Sequence, residues 1–283
     1  MRRLAKRAFW EARHDVAIRV HRKGAPARRG IRRVLDHARL RLGAEPHATY
    51  SDFLMERILK RHLPARPDWS SIEVGCAPGR NLIRLNQLFG YRPHGVDYSA
   101  PGIQATRATF AVHGFPQENV IACDFFAPEF QTQYRGRFDV VLSHGFIEHF
   151  DRPEEVVAAH AAMLRVGGYL ICSVPNLIGP AHPFLRLFAV DQLRAHNCSI
   201  MRLGPFRALF EGLALEREWC GYVGQFAFFG LSVRHERSFR GYLARLLNRF
   251  ADISDHSMFV ALRGHSFETR WSPYLLYVGR KRE

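Results

Sequence analysis

Lysine is scarce in this chain: 4 of its 41 basic residues, the rest being arginine. Cysteine is scarce too. The five cysteines are an odd number and include no Cys-x-x-Cys pair, which argues against a disulfide framework and for a reducing, cytoplasmic compartment. No apolar run approaches the length of a membrane span. The basic start has no apolar stretch ahead of a small-residue cleavage site, so no secretory signal is expected. What the chain does have is size and apolar content. Its 283 residues are 47% hydrophobic, enough for one sizeable core plus additions.

The net charge of +15 is unevenly spread. Residues 1–45 hold 14 basic and 4 acidic side chains, residues 46–180 hold 12 and 13, and residues 181–283 hold 15 and 9. A near-neutral middle is thus flanked by basic segments. In the first segment Leu4, Ala8, Ala12, Val16 and Val20 fall at i+4 spacing, and Ile31, Val34, Leu35, Ala38 and Leu42 form a second stripe after Gly24-Ala25-Pro26. The pattern predicts two short helices. Such a helix with Phe9 and Trp10 could pack on its own domain or on a partner chain, lie on an anionic membrane surface, or rest on nucleic-acid phosphates. Packing is the favoured role, then membrane, then nucleic acid.

The motif-bearing stretch is Ser71-Ile72-Glu73-Val74-Gly75-Cys76-Ala77-Pro78-Gly79-Arg80-Asn81. It reads as an apolar strand, a glycine turn and a helix start. A second strand, Gly95-Val96-Asp97, closes on an acid eighteen residues after Gly79. Glycines let backbone approach a ligand, and a carboxylate there can accept both ribose hydroxyl protons. The three-glycine dinucleotide fingerprint is missing, since Ala77 takes the middle position. Glu73 would also sit badly beside a pyrophosphate, but suits a ligand carrying an ammonium and a sulfonium. A third strand, Asn119–Cys123, ends in Asp124-Phe125, and a fourth, Phe138–Leu142, ends in Ser143-His144. Asp151 and Glu154 look like a capping pair around Pro153. The helix that follows has Val156, Val157, His160, Met163 and Leu164 on one stripe, and Tyr169–Asn176 reads as a fifth strand.

In this order the residues resemble the class I S-adenosylmethionine-dependent methyltransferases, nearest to small-molecule O-methyltransferases such as those of ubiquinone biosynthesis. The resemblance covers residues 50–180 and resumes at Ser272–Arg280. It implies an α/β, Rossmann-like, seven-stranded, mostly parallel sheet with a final antiparallel strand. A basic helical extension (1–45), a cofactor-binding core (46–180), a lid or insertion with an edge strand (181–270) and a final strand (271–283) complete the layout. The cofactor implied is S-adenosylmethionine, leaving as S-adenosylhomocysteine. By position, Glu73, Gly75 and Cys76 would line its methionine part, with Gly79 also cofactor-binding, Asp97 would hold the ribose and Tyr98 would flank the adenine. Asp124 would accept the adenine amino proton with Phe125 against the ring, while Ser143 and His144 would border the methyl. The plainer alternatives are turn caps for Asp97 and Asp124, core packing for Tyr98 and Phe125, and a buried filler for Cys76. A helix over Asp52–His62 would cover the cofactor and bring Tyr50 near it, although packing explains the same residues.

A hydroxyl acceptor needs a base, for which His144, His149 and His196 are the candidates. Glu148 could orient His149 if their side chains meet. Some related enzymes bind a magnesium-type ion through Glu-x-x-Glu-His. Here Gly145-Phe146-Ile147-Glu148-His149 lacks the first carboxylate, so no metal is expected. The Ser143-His144-Gly145-Phe146 turn lacks the proline pair usual in enzymes that methylate nucleobase amino groups. Half of the 22 phenylalanines lie after residue 180; the resemblance implies a substrate lid there, suited to an apolar, aromatic or lipid-linked acceptor, while ordinary core packing explains the same residues equally well. The expected activity is O-methylation of a small or glycan-like metabolite. An RNA methyltransferase and a catalytically silent cofactor-binding scaffold are the alternatives. The oligomeric state is not legible.

Overall fold

The computed structural model describes residues 1–5, 10, 49–180, 182–224, 241–242, 246, 257–258, 261–262, 265 and 268–282. Apart from residues 1–5 and 10, the two helices expected in 1–45 lie outside the described residues. So do Phe226–Phe229 and most of the helix expected over 242–250.

One sheet organises the described chain. Strands β1 (Ser70–Val74), β2 (Arg92–Asp97), β3 (Val120–Ala122), β4 (Phe138–His144) and β5 (Leu164–Pro175) run parallel. β6 (Leu215–Val223) and β7 (Tyr274–Lys281) complete the order β3-β2-β1-β4-β5-β7-β6, with β7 antiparallel to both neighbours. This is the expected seven-stranded sheet with its last strand reversed. The chain steps outward from β1 to β3, then returns to place β4 on the other side of β1. That reversal opens a crevice at the carboxyl ends of the central strands.

Both faces of the sheet are covered, which is why its central strands are apolar on both sides. On one face pack α1 (Tyr50–His62), α2 (Arg80–Phe89) and α3 (Ala100–Val112), where Phe53, Leu82, Leu85 and Phe110 meet Val140 and Leu142. On the other pack α4 (Pro128–Gln133) and α5 (Pro153–Met163), where Phe130, Val156 and Met163 meet Ile72, Val74 and Val141. Residues 72 and 74 thus point one way and 140 and 142 the other, as strand alternation requires. α1 begins two residues before the expected Asp52. Thr49 and Asp52 form a reciprocal cap there, Thr49 Oγ1 accepting the Asp52 N–H and Asp52 Oδ2 the Thr49 N–H. Glu56 of α1 is clamped by Arg84 of α2 through two 2.6 Å hydrogen bonds.

After β5 come α6 (His182–Phe188), α7 (Val190–Arg194) and α8 (Leu203–Ala208). Leu185, Phe188, Ala189 and Met201 close over Leu177 in a separate small cluster. Among the described residues no helix is long and apolar enough to cross a membrane.

Three expectations need correcting. The fifth strand starts at Leu164 and not Tyr169, because Leu164 already pairs with Phe138 before a register shift leads to Val140↔Tyr169. The Asp151–Glu154 capping pair does not form. Asp151 Oδ1 instead accepts the Arg2 N–H at 2.7 Å, and the residue capping α5, Arg152, makes no side-chain cap bond. The first helical stripe does not begin at Leu4, because the segment around Arg3 is extended and bridges Phe150.

Candidate active site

The sheet brings three carboxylates to one edge: Glu73 in β1, Asp97 ending β2, and Asp124 just after β3. Ser143 and His144 end the next strand over, β4. Residues separated by some seventy positions in sequence are gathered because each closes a parallel strand.

Glu73 is 3% exposed. Asn81 Nδ2 donates to its Oε1 at 2.6 Å, while Oε2 is buried with no hydrogen-bond partner. Burial pushes the carboxyl up from 4.5 to about 8; the Asn81 bond opposes this and the Asp97 charge adds to it. Glu73 is therefore mainly neutral at pH 7 until a cation arrives.

The turn after β1 depends on glycine for two reasons. Gly75 has φ +71°, and a Cβ there would lie 2.8 Å from Phe146 Cδ2. Phe146 thus lies directly on the bare backbone of the turn. Gly79, at φ +88°, is the N-cap of α2. Cys76 turns its side chain into the core, where Gly95 makes room for it. Burial, then the charges of Asp97 and Glu73, push its thiol well above the ordinary value. Cys76 can meet a ligand only through its backbone, which is the filler role.

Asp97 is 8% exposed, and its Oδ1 accepts the Ser99 N–H at 2.8 Å. It caps the turn that follows β2. Tyr98 is half-buried. An open groove of about 650 Å³ lies along its flank, lined also by Ile103, Gln104, Arg107 and Cys123, with none of Glu73, Gly75 or Asp97 in its lining.

Asp124 Oδ1 accepts the Phe126 N–H at 3.0 Å and Arg3 Nη2 at 2.5 Å. Partial burial alone would raise this carboxyl, but the bonds from Arg3 and Phe126 and the Arg3 charge outweigh it and hold it below the usual value. Phe125 is buried at 4% exposure among Phe130, Phe146 and His160. Its ring belongs to the core, and the aromatic ring nearest Arg3 at this corner besides Tyr98 is Phe126. Tyr50 is likewise in the core, its hydroxyl donating to His265 O at 2.8 Å.

The three candidate bases separate into two places. His144 is exposed at the tip of β4; its Nδ1 sits 2.5 Å from Ser173 Oγ on β5. Ser143 beside it is buried against Cys172. His149 and His196 come together with their rings 4.3 Å apart, and both are buried. His149 Nδ1–H donates to Ala195 O at 2.7 Å and His196 Nδ1–H to Gln192 O at 2.5 Å, which makes Nδ1 a protonated nitrogen in each ring. Glu148 does meet His149, at 3.7 Å from its Nε2. Ligand atoms of Glu148, His149 and His196 all lie within 4.8 Å of one another, a grouping able to hold a metal ion. The sequence showed the Glu-His pair, but not that residue 196 would stand beside it.

Sequence reasoning missed Arg3, Asn81, Phe126 and Phe146. Asn81 was legible only as part of the turn, one residue into α2. The other three act through contacts across the sheet edge that no local pattern reports.

Comparison with known proteins adds three findings. Residues 28–216 match a family model described as a methyltransferase domain. Among curated proteins, the ubiquinone biosynthesis O-methyltransferase of Aromatoleum aromaticum is 29% identical over 136 residues, 44% of this chain and 56% of that protein. The ribosomal RNA small subunit methyltransferase C of Cronobacter sakazakii is 30% identical over 108 residues, 35% of this chain and 29% of that one. The matched regions thus span roughly half or less of those relatives. Among solved structures, geranyl diphosphate C-methyltransferase from Streptomyces coelicolor superposes with a TM-score of 0.52 at 15% identity, covering 85% of this chain and 86% of that one. At that identity the likeness concerns the fold.

Proposed function

The chain belongs to the methyltransferase-domain family, and on that premise we propose that it binds S-adenosylmethionine at the carboxyl edge of β1, β2 and β3 and methylates a hydroxyl of a small, glycan-like or lipid-linked acceptor. One observation carries the cofactor assignment. Glu73 keeps a buried oxygen without a hydrogen-bond partner, at the strand end beside a glycine turn. A buried polar atom without a partner is costly, and a ligand ammonium would satisfy it by drawing Glu73 into its carboxylate form. Glu73, Gly75 and Gly79 would hold the amino-acid part, Asp97 the ribose, and Tyr98, Asp124 and Phe126 the adenine. The core over residues 46–180 would supply this pocket, and residues 181–270 the acceptor lid.

When bound, the cofactor supplies an electrophilic methyl group on a sulfonium. The protein's own part is placement and proton handling. Holding the acceptor oxygen in line with the methyl removes much of the entropic barrier. His144, the exposed histidine at the β4 tip steadied by Ser173, would take the acceptor's hydroxyl proton, while the carbon–sulfur bond would break and its electron pair leave on the sulfur of S-adenosylhomocysteine. His149, His196 and Glu148 brace the segment after β4 against residues 192–197. No metal is required in this scheme. Activity lost to EDTA and restored by a divalent ion would instead assign those three residues to an ion.

The match to an O-methyltransferase supports the hydroxyl acceptor. The match to a ribosomal RNA methyltransferase and the basic flanks support RNA as the second reading. Retention on RNA that weakens steeply with salt would favour it. The first test is calorimetric titration with S-adenosylmethionine, S-adenosylhomocysteine and NAD. Micromolar binding of the first two and none of NAD is expected. Binding of NAD alone would overturn the proposal.

A further inference from the structure

We propose that Arg3 is a built-in occupant of the adenine subsite, a latch that the cofactor displaces on binding; this rests on the cofactor reading above. Residues 2–4 lie antiparallel to the segment after β4. Leu4 N–H donates to His149 O at 2.7 Å, Asp151 N–H to Arg2 O at 3.1 Å, and Arg2 N–H to Asp151 Oδ1 at 2.7 Å. These bonds aim the Arg3 side chain across the sheet edge toward the end of β3. Its Nη2 donates to Asp124 Oδ1, and its guanidinium carbon lies 4.9 Å from the Tyr98 ring centre and 5.8 Å from that of Phe126.

A guanidinium and an adenine share two properties that matter at this corner. Both are flat and stack on an aromatic face, and both present N–H donors at an edge. Arg3 takes the Asp124 edge at Oδ1 beside the Phe126 N–H while its guanidinium lies over Tyr98, so an adenine stacked there with its amino group toward Asp124 would compete with Arg3 for the same space. The Arg3 pair is charge-assisted, which favours the latched state. Its side chains are 35% and 41% exposed, so water and salt screen the pair and keep it displaceable.

A ligand that binds only the unlatched protein has its affinity reduced by the unlatched fraction, and Arg3→Ala is expected to tighten S-adenosylhomocysteine binding about tenfold. Salt gives a second readout, because raising ionic strength weakens the exposed pair. Affinity of the wild-type protein should rise between low and moderate salt, while that of Arg3→Ala should not. The experiment is calorimetric titration of both full-length proteins with S-adenosylhomocysteine at two salt concentrations, with Asp97→Ala as the weakened control. Tighter binding by Arg3→Ala, together with the lost salt response, supports the latch. Equal or weaker binding by Arg3→Ala overturns it and leaves the cofactor reading standing. No binding by either protein overturns both.

Discussion

Replacing Glu73 by glutamine should stabilise the unliganded protein and, at the same stroke, weaken its hold on the cofactor. The carboxyl sits at 3% exposure with one oxygen on Asn81 and the other unpartnered. Burial moves it from 4.5 to about 8. In the unfolded chain it ionises near 4.5, but in the folded protein it stays neutral to about 8. Its contribution to stability is therefore fully present below pH 4.5 and is lost as pH rises toward 8. At pH 7 two and a half units of that interval have been crossed, and at about 1.4 kcal/mol per unit the loss is about 3 kcal/mol. Glu73→Gln has no proton to lose. Urea unfolding should find the two proteins alike near pH 4.5 and the variant about 3 kcal/mol more stable at pH 7. Comparing them at each pH cancels every other titrating group. A difference that stays flat with pH, or a variant less stable at pH 7, would refute the reasoning. The cofactor ammonium has the opposite preference, since it needs the carboxylate. Binding by the wild-type protein should release about nine protons per ten complexes at pH 7, visible as a heat that varies with buffer ionisation enthalpy. Glu73→Gln should release none from this site.

Other expected outcomes follow from neighbouring groups. Gly75→Ala puts a side chain at φ +71° and 2.8 Å from Phe146 Cδ2, and should lower stability by roughly 1–3 kcal/mol in thermal or urea unfolding. His160 is fully buried, and burial lowers its imidazole to about 4 against the bond from Nδ1 to Val156 O. Its contribution is present above pH 6.5 and lost as pH falls toward 4, at about 1.4 kcal/mol per unit, a slope that His160→Gln should remove. His144→Ala should cut kcat by roughly a hundredfold or more with S-adenosylhomocysteine affinity unchanged, as measured by turnover and calorimetry once an acceptor is found.

Much of the site was legible because its pieces end strands. Glu73, Asp97, Asp124 and His144 each stand at or just past the end of a strand, and a parallel sheet carries such ends to one edge whatever the loops do between them. The seven-stranded sheet and its reversed last strand were expected from the family resemblance that those motifs carry, whereas the order β3-β2-β1-β4-β5-β7-β6 came only with the structure. Strand ends were less legible. The early start of β5 depends on a pairing between Leu164 and Phe138, contacts across a register shift that no window of sequence contains.

By itself, then, the sequence determined which residues close the strands, since strand and glycine-turn patterns are local, and the family resemblance proposed their place at the crevice. Only the tertiary structure decided which way their side chains face and what else reaches them. Cys76 turns into the core because Gly95 leaves space there, and Phe125 turns inward to pack against the ring of Phe130. His196 joins Glu148 and His149 through hydrogen bonds that tie residues 192–197 to the segment after β4. Arg3 arrives at Asp124 across 121 positions of sequence, carried by backbone bonds to residues 149–151. Such meetings depend on packing of distant elements, and local pattern carries no record of them.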